Sequence, residues 1–75
     1  MKLDKLKPGK YAVITNVNGK GLLRRRLLEM GLTPKTKVYC RKVAPLGDPI
    51  EIYVRSYVLT LRKDDANMID IEELK

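Results

Sequence analysis

One change of period governs what this chain can fold into. From Tyr11 to Val17 (YAVITNV) the residues are mostly β-branched or aromatic and read as a strand. Asn18-Gly19 breaks it. From Gly21 the apolar residues fall at helical spacing, with Leu23, Leu27 and Met30 at i, i+4 and i+7. Gly31 stands where a left-handed cap belongs, and Leu32 after it can fold back onto Leu27 or Leu28. The spacing predicts one helix over residues 21–30. A helix of under three turns is marginal alone and must pack on something.

Strand patterns return beyond the helix. Thr33-Pro34 is a second break. Lys37–Val43 (KVYCRKV) alternates, with Val38, Cys40 and Lys42 on one face and Tyr39, Arg41 and Val43 on the other, an imperfect inner face. Ala44–Pro49 (APLGDP) is a loop. Ile50–Val54 and Val58–Leu61 are short strands joined by a tight connection through Arg55-Ser56-Tyr57. Lys63–Asn67 is a helical turn, with Asp64 or Asp65 suited to cap its start. Met68–Ile71 is a last strand and Glu72–Lys75 a tail. About five short strands with tight turns and one helix, in a chain of 75 residues, predict a mostly β, single domain over residues 1–75, built as a small barrel. The helix would close an open end.

Composition narrows the function. There is no histidine and one cysteine, Cys40. That excludes an internal disulfide, a Cys- or His-based metal site and a Cys-His nucleophile pair. Ser56 and Thr60 have no imidazole to activate them, and Cys40 beside Val38 reads as a buried inert thiol. No enzyme activity and no cofactor are expected. The remaining metal ligands are carboxylates: Asp64, Asp65, Asp70, Glu72 and Glu73 leave open a weak oxygen site for ferrous or manganous ion. No apolar run approaches a membrane span, and MKLDKLKPGK lacks the apolar stretch of a signal peptide, so a cytoplasmic protein is expected.

The net charge of +7 is unevenly placed. Residues 1–42 carry 12 Lys/Arg against 2 Asp/Glu, and residues 43–75 carry 4 against 7. A cationic half suits an anionic partner. Three of its cations are consecutive, Arg24, Arg25 and Arg26, inside the helix. On the helical wheel Arg25 lies opposite the Leu23–Leu27–Met30 stripe, with Glu29 at i+4 to pair with it. Arg24 lies beside Leu28, and Arg26 on the other flank. Arg24 and Arg25 also sit near the positive end of the helix dipole, at a cost of a few tenths of a kcal/mol each. Gly19-Lys20-Gly21 lacks the remaining glycine and lysine of a phosphate loop and reads as a strand-to-helix turn. Ten residues bury too little apolar area for a membrane-surface helix.

Four stretches together resemble the FeoA family, the small partner of the bacterial ferrous iron transporter FeoB. They are Lys7-Pro8-Gly9; Arg26-Leu27 through Glu29-Met30-Gly31-Leu32 with Pro34; Ala44-Pro45-Leu46-Gly47-Asp48-Pro49; and Tyr57 through Leu59-Thr60-Leu61-Arg62-Lys63 to Ala66. The family often has glycine at the positions of Lys35 and Ser56. The resemblance implies an SH3-like barrel with a helix over one open end. It also implies a non-enzymatic role, docking on the transporter's cytoplasmic GTP-binding domain. The fold it implies is shared with the C-terminal domain of iron- and manganese-dependent repressors.

These readings define candidate contact residues. Arg24, Arg25 and Leu28, with Arg26 on the rim, make one patch, because an apolar side chain beside exposed arginine is a common anchor composition. Pro45, Leu46 and Asp48 in the rigid loop make a second. Two alternatives are an RNA-binding small barrel, supported by the basic half and the tyrosines, and a metal-sensing accessory domain using the C-terminal carboxylates. Nucleic acid is the weaker partner, since the tyrosines lie elsewhere along the chain from the arginines. Self-association is also open, through Ile50–Val54 as an exposed edge strand.

Overall fold

The computed structural model describes residues 1–75. A 3₁₀ turn (Leu3–Lys5) precedes β1 (Tyr11–Val17), α1 (Gly21–Glu29), β2 (Lys37–Val43), β3 (Ile50–Val54), β4 (Tyr57–Leu61), α2 (Lys63–Ala66) and β5 (Ile69–Glu73). The five strands form one antiparallel sheet in the order β4-β3-β2-β1-β5. The helix ends one residue earlier than expected, with Met30 as its cap.

Two bulges bend the sheet round its core. In β1 the buried residues are Ala12, Ile14 and then Val17. The step from two residues to three falls where the β1–β5 register shifts, between Ile14 and Asn16. In β2 the register with β3 shifts between Cys40 and Lys42. This corrects the simple alternation: Val38 and Cys40 are buried, Lys42 is exposed, and Val43 joins the core side opposite Ile50. An extra residue in one strand bends it and increases its twist, which is what lets five short strands curl into a barrel.

The interior is entirely apolar. It is built from aliphatic residues and Cys40, with no buried polar side chain. Leu3 and Leu6, in a segment with no assignment from sequence, are buried and close the bottom of this core. Leu27 and Leu32 close it from the α1 side, with Leu23, Leu28 and Met30 half-buried around them. The stripe on α1 is therefore the cover that its spacing predicts.

Three further expectations change. Ile50–Val54 is not an edge: β3 is paired on both sides, by β2 and β4, so it has no free backbone to offer a second copy. The last strand extends through Glu73, so most of the expected tail is paired with β1, and the Leu74 amide donates to the Tyr11 carbonyl. α2 is not capped by Asp64 or Asp65. The Asp48 carboxylate, from the β2–β3 loop, accepts the Lys63 amide at 3.0 Å instead.

Candidate docking surface

α1 ends as its sequence requires. The Leu32 amide donates to the Leu27 carbonyl and the Gly31 amide to that of Leu28, a Schellman pair that satisfies the last turn. Gly31 has φ +94, and a Cβ there would stand 2.5 Å from the Tyr57 hydroxyl. That hydroxyl donates to the Met30 carbonyl and so ties the helix end to β4. At the other end Arg24 Nε donates to the Val17 carbonyl at 3.1 Å. No acidic residue offsets the dipole in the first turn, and no side chain caps it.

On its solvent side α1 carries a shallow hollow of about 430 Å³, lined by Gly21, Arg24, Arg25, Leu28 and Glu29. Arg24, Arg25 and Leu28 are thus brought together as expected. Arg26 is exposed but lies outside the hollow. The expected Arg25–Glu29 ion pair is absent: the chain's ion pairs are Lys2–Asp70 and Arg41–Glu51. Arg25 keeps its charge unneutralised, whereas Arg24 is partly committed to β1. Leu22, not singled out from sequence, is 75% exposed on the outer side of the same helix. Its signal was present, since it is one of two helix leucines, with Leu28, that fall outside the i, i+4, i+7 stripe.

The second group does not join the first. Pro45 lines a separate small cleft with Val43, Pro49 and Thr60. Leu46 stands at the loop tip, 93% exposed. Asp48 is occupied as the α2 cap. Nor do the carboxylates converge: no three His, Cys, Asp or Glu side chains form a group that could hold a metal ion. Burial pushes the Cys40 thiol above its ordinary range, which makes it a poorer nucleophile. Asp70 instead accepts from Lys2 at 2.6 Å and from Asn18 at 3.0 Å. Those bonds, led by Lys2, hold its carboxyl below the usual aspartate value.

A model of the FeoA domain matches residues 1–73. The chain belongs to the FeoA family. A Porphyromonas gingivalis relative, an Fe(2+) transport protein A/Fe(2+) transporter FeoB fusion protein, is 39% identical over 72 residues. The match covers 96% of this chain but only 8% of that protein. The NMR structure of FeoA from Chlorobium tepidum is 40% identical, with a TM-score of 0.90, covering 100% of this chain and 71% of that one. The crystal structure of Stenotrophomonas maltophilia FeoA complexed with zinc, described as an SH3 domain protein, is 25% identical. Its TM-score is 0.85, with 96% and 89% covered. The five-stranded barrel with its helix is therefore the SH3-like fold of FeoA domains. Where the family often has glycine, Lys35 itself takes the left-handed conformation, with φ 74. At the β3–β4 turn Arg55, not Ser56, does so, with φ 54. No helix is long and apolar enough to cross a membrane.

Proposed function

We propose that this FeoA domain is a non-enzymatic accessory of ferrous iron uptake in the cytoplasm. It seats on the GTP-binding domain of a FeoB-type transporter through the solvent side of α1, with Arg25, Leu28 and Leu22 as contacts and Arg24 as a positioning arm. The observation that carries this is the Porphyromonas gingivalis relative, in which a FeoA segment and a FeoB transporter share one chain. A covalent link keeps two modules at high effective concentration, an arrangement that serves partners which act on each other. The α1 hollow supports the choice of face. It holds two arginines against one glutamate, has Leu28 as its apolar side chain and is free of internal ion pairs.

The test is an amide titration of the ¹⁵N-labelled chain with the transporter's GTP-binding domain. Shifts confined to residues 20–31 are expected. Arg25→Glu should weaken the complex about tenfold, roughly 1.4 kcal/mol, chiefly through a slower on-rate. Arg25 makes the cleaner probe, because changing Arg24 also removes the bond to Val17. Unchanged binding by Arg25→Glu would remove α1 from the interface. Shifts with single-stranded RNA that fade with salt would replace the docking reading altogether.

A further inference from the structure

The outer face of the barrel carries a feature that iron uptake through α1 does not use. Tyr11 pairs with Tyr39, and Tyr39 with Tyr53, so three tyrosines from β1, β2 and β3 stand at one level across the sheet. Val58 on β4 is opposite Tyr53. On the other side Leu74, just past β5, donates its amide to the Tyr11 carbonyl. Tyr11, Tyr53, Val58 and Leu74 are all exposed. One apolar row thus crosses β4, β3, β2 and β1 and ends at Leu74 beside β1, about 19 Å at the usual strand spacing. A continuous exposed row of this kind marks an interaction surface, unlike apolar residues scattered singly.

Its charge is directional. The central cleft, about 460 Å³, is lined by Tyr11, Lys37, Val38, Tyr39, Tyr53 and Arg55, with no carboxylate. The Tyr11 and Tyr39 rings are tilted together with centroids 4.6 Å apart, and Lys37 Nζ lies 4.7 Å from the Tyr11 centroid. Neither Lys37 nor Arg55 has an acidic partner. Two carboxylates flank the row on this face: Glu72, opposite Val13 at the β5 end, and Glu51, two residues before Tyr53 on β3, which is already paired with Arg41 at 3.1 Å. The unpaired charge at the central cleft is therefore cationic, and that at the β5 end is not.

We propose that this row is a second docking surface, occupied by an extended acidic segment of a protein partner. The segment lies across the strands with apolar side chains over the tyrosines and a carboxylate at Lys37 and Arg55. An extended chain advances about 3.3 Å per residue, so the row accommodates roughly six residues. Alternate residues face one side, which puts apolar and acidic positions two apart. The segment's carboxylates point toward β2–β3, away from Glu72. This surface is separate from α1, and its occupancy does not depend on docking there.

The experiment uses the full ¹⁵N-labelled chain with three probes. They are a pooled set of hexapeptides whose alternate positions carry Pro, Leu or Tyr and one Asp or Glu, with Ser between them, a matched set with Lys or Arg as the charged residue, and hexauridylate. Expected are shifts at residues 11, 37, 39, 53, 58 and 74 with the acidic set and none with the basic set. Lys37→Glu, an exposed position that leaves the core untouched, should reduce acidic-peptide binding at least tenfold, and Tyr53→Ser should do the same. Arg25→Glu should leave it unchanged, which separates this surface from the α1 face. No shifts along the row with the acidic set, or equal shifts with the basic set, would overturn the proposal. So would salt-sensitive shifts with hexauridylate alone, which would make the row a base-stacking platform.

Discussion

The α1 hollow and the tyrosine row are surfaces of similar size made in opposite ways. The hollow comes from nine consecutive residues. It is cationic and rides on a helix fastened at a few points: Leu27 in the core, Arg24 on Val17, and Met30 under Tyr57. The row comes from four strands and rests on a continuous ladder. One surface can loosen without the rest of the fold, and the other cannot. Perturbations at the helix's fastenings should therefore divide the molecule, and perturbations of the shared core should not.

The largest effect should come from Leu27→Ala. Leu27 is buried and is the deepest contact of α1 with the core. Such truncations cost about 2–5 kcal/mol, comparable with the roughly 3–5 kcal/mol that a core of this size supplies. Urea denaturation should show both regions lost together, near or below the threshold of folding. A variant that kept its helix and full stability would mean α1 does not cover the core.

Gly31→Ala should divide the two regions. A Cβ in the left-handed conformation costs about 1–2 kcal/mol, and here it also displaces the Tyr57 hydroxyl that holds Met30. Amide exchange should accelerate at Leu27, Leu28 and Leu32, while Tyr39 and Tyr53 stay protected. Equal acceleration in both would show that helix and sheet open as one unit and would break the comparison.

Lys35→Gly acts on the link between the regions. Lys35 holds φ 74, with its amide donating to Ile14 at 2.6 Å. Glycine relieves the left-handed cost of about 1–2 kcal/mol but loses roughly 0.5–1 kcal/mol to unfolded-chain entropy. A net gain of up to about 1.5 kcal/mol is expected, and each ~1 kcal/mol of it should raise Tm by about 4–8 °C. A lower Tm would mean that the lysine side chain stabilises the turn by more than its backbone costs.

The two surfaces also differ in how far a linear reading reaches them. Arg24, Arg25 and Leu28 are separated by helical spacings, so the 3.6-residue period alone put them on one face. Tyr11, Tyr39 and Tyr53 are separated by strands and loops, and only the register aligns them. The bulge at Arg41 sets which β3 residue meets Tyr39, the one at Thr15 sets how β5 lies along β1, and no residue type announces either: both look like ordinary outward strand positions. The same gap explains Ile50–Val54. Its alternation showed a strand, but which strands flank it depends on long-range pairing. Asp48 was legible as polar loop residue and not as the cap of α2, because its partner lies fifteen residues away across a hairpin.

The smallest effect lies in β5, at the end of the strand away from the row, and depends on pH. Asp70 is bound by Lys2 and Asn18, and the Lys2 bond is the main reason its carboxyl is held below the ordinary aspartate value. A depressed folded value means the unfolded chain takes up the proton first on acidification. The stability from this group is therefore complete above the ordinary value of about 3.8 and is lost as pH falls through the lower folded value. Asp70 is solvent-exposed enough that salt will screen the contribution. Because the carboxylate fastens β5 to Lys2 and to Asn18 after β1, acid should loosen Ile69–Glu73 and Leu74 before it loosens α1. Amide exchange followed between pH 5 and 2.5 should show that order, and Asp70→Asn should abolish it while flattening the acid side of the stability curve. If α1 opened first, the helix would be the weaker region even when the sheet's own fastening is titrated, and the contrast between the two surfaces would be sharper than the contacts alone suggest.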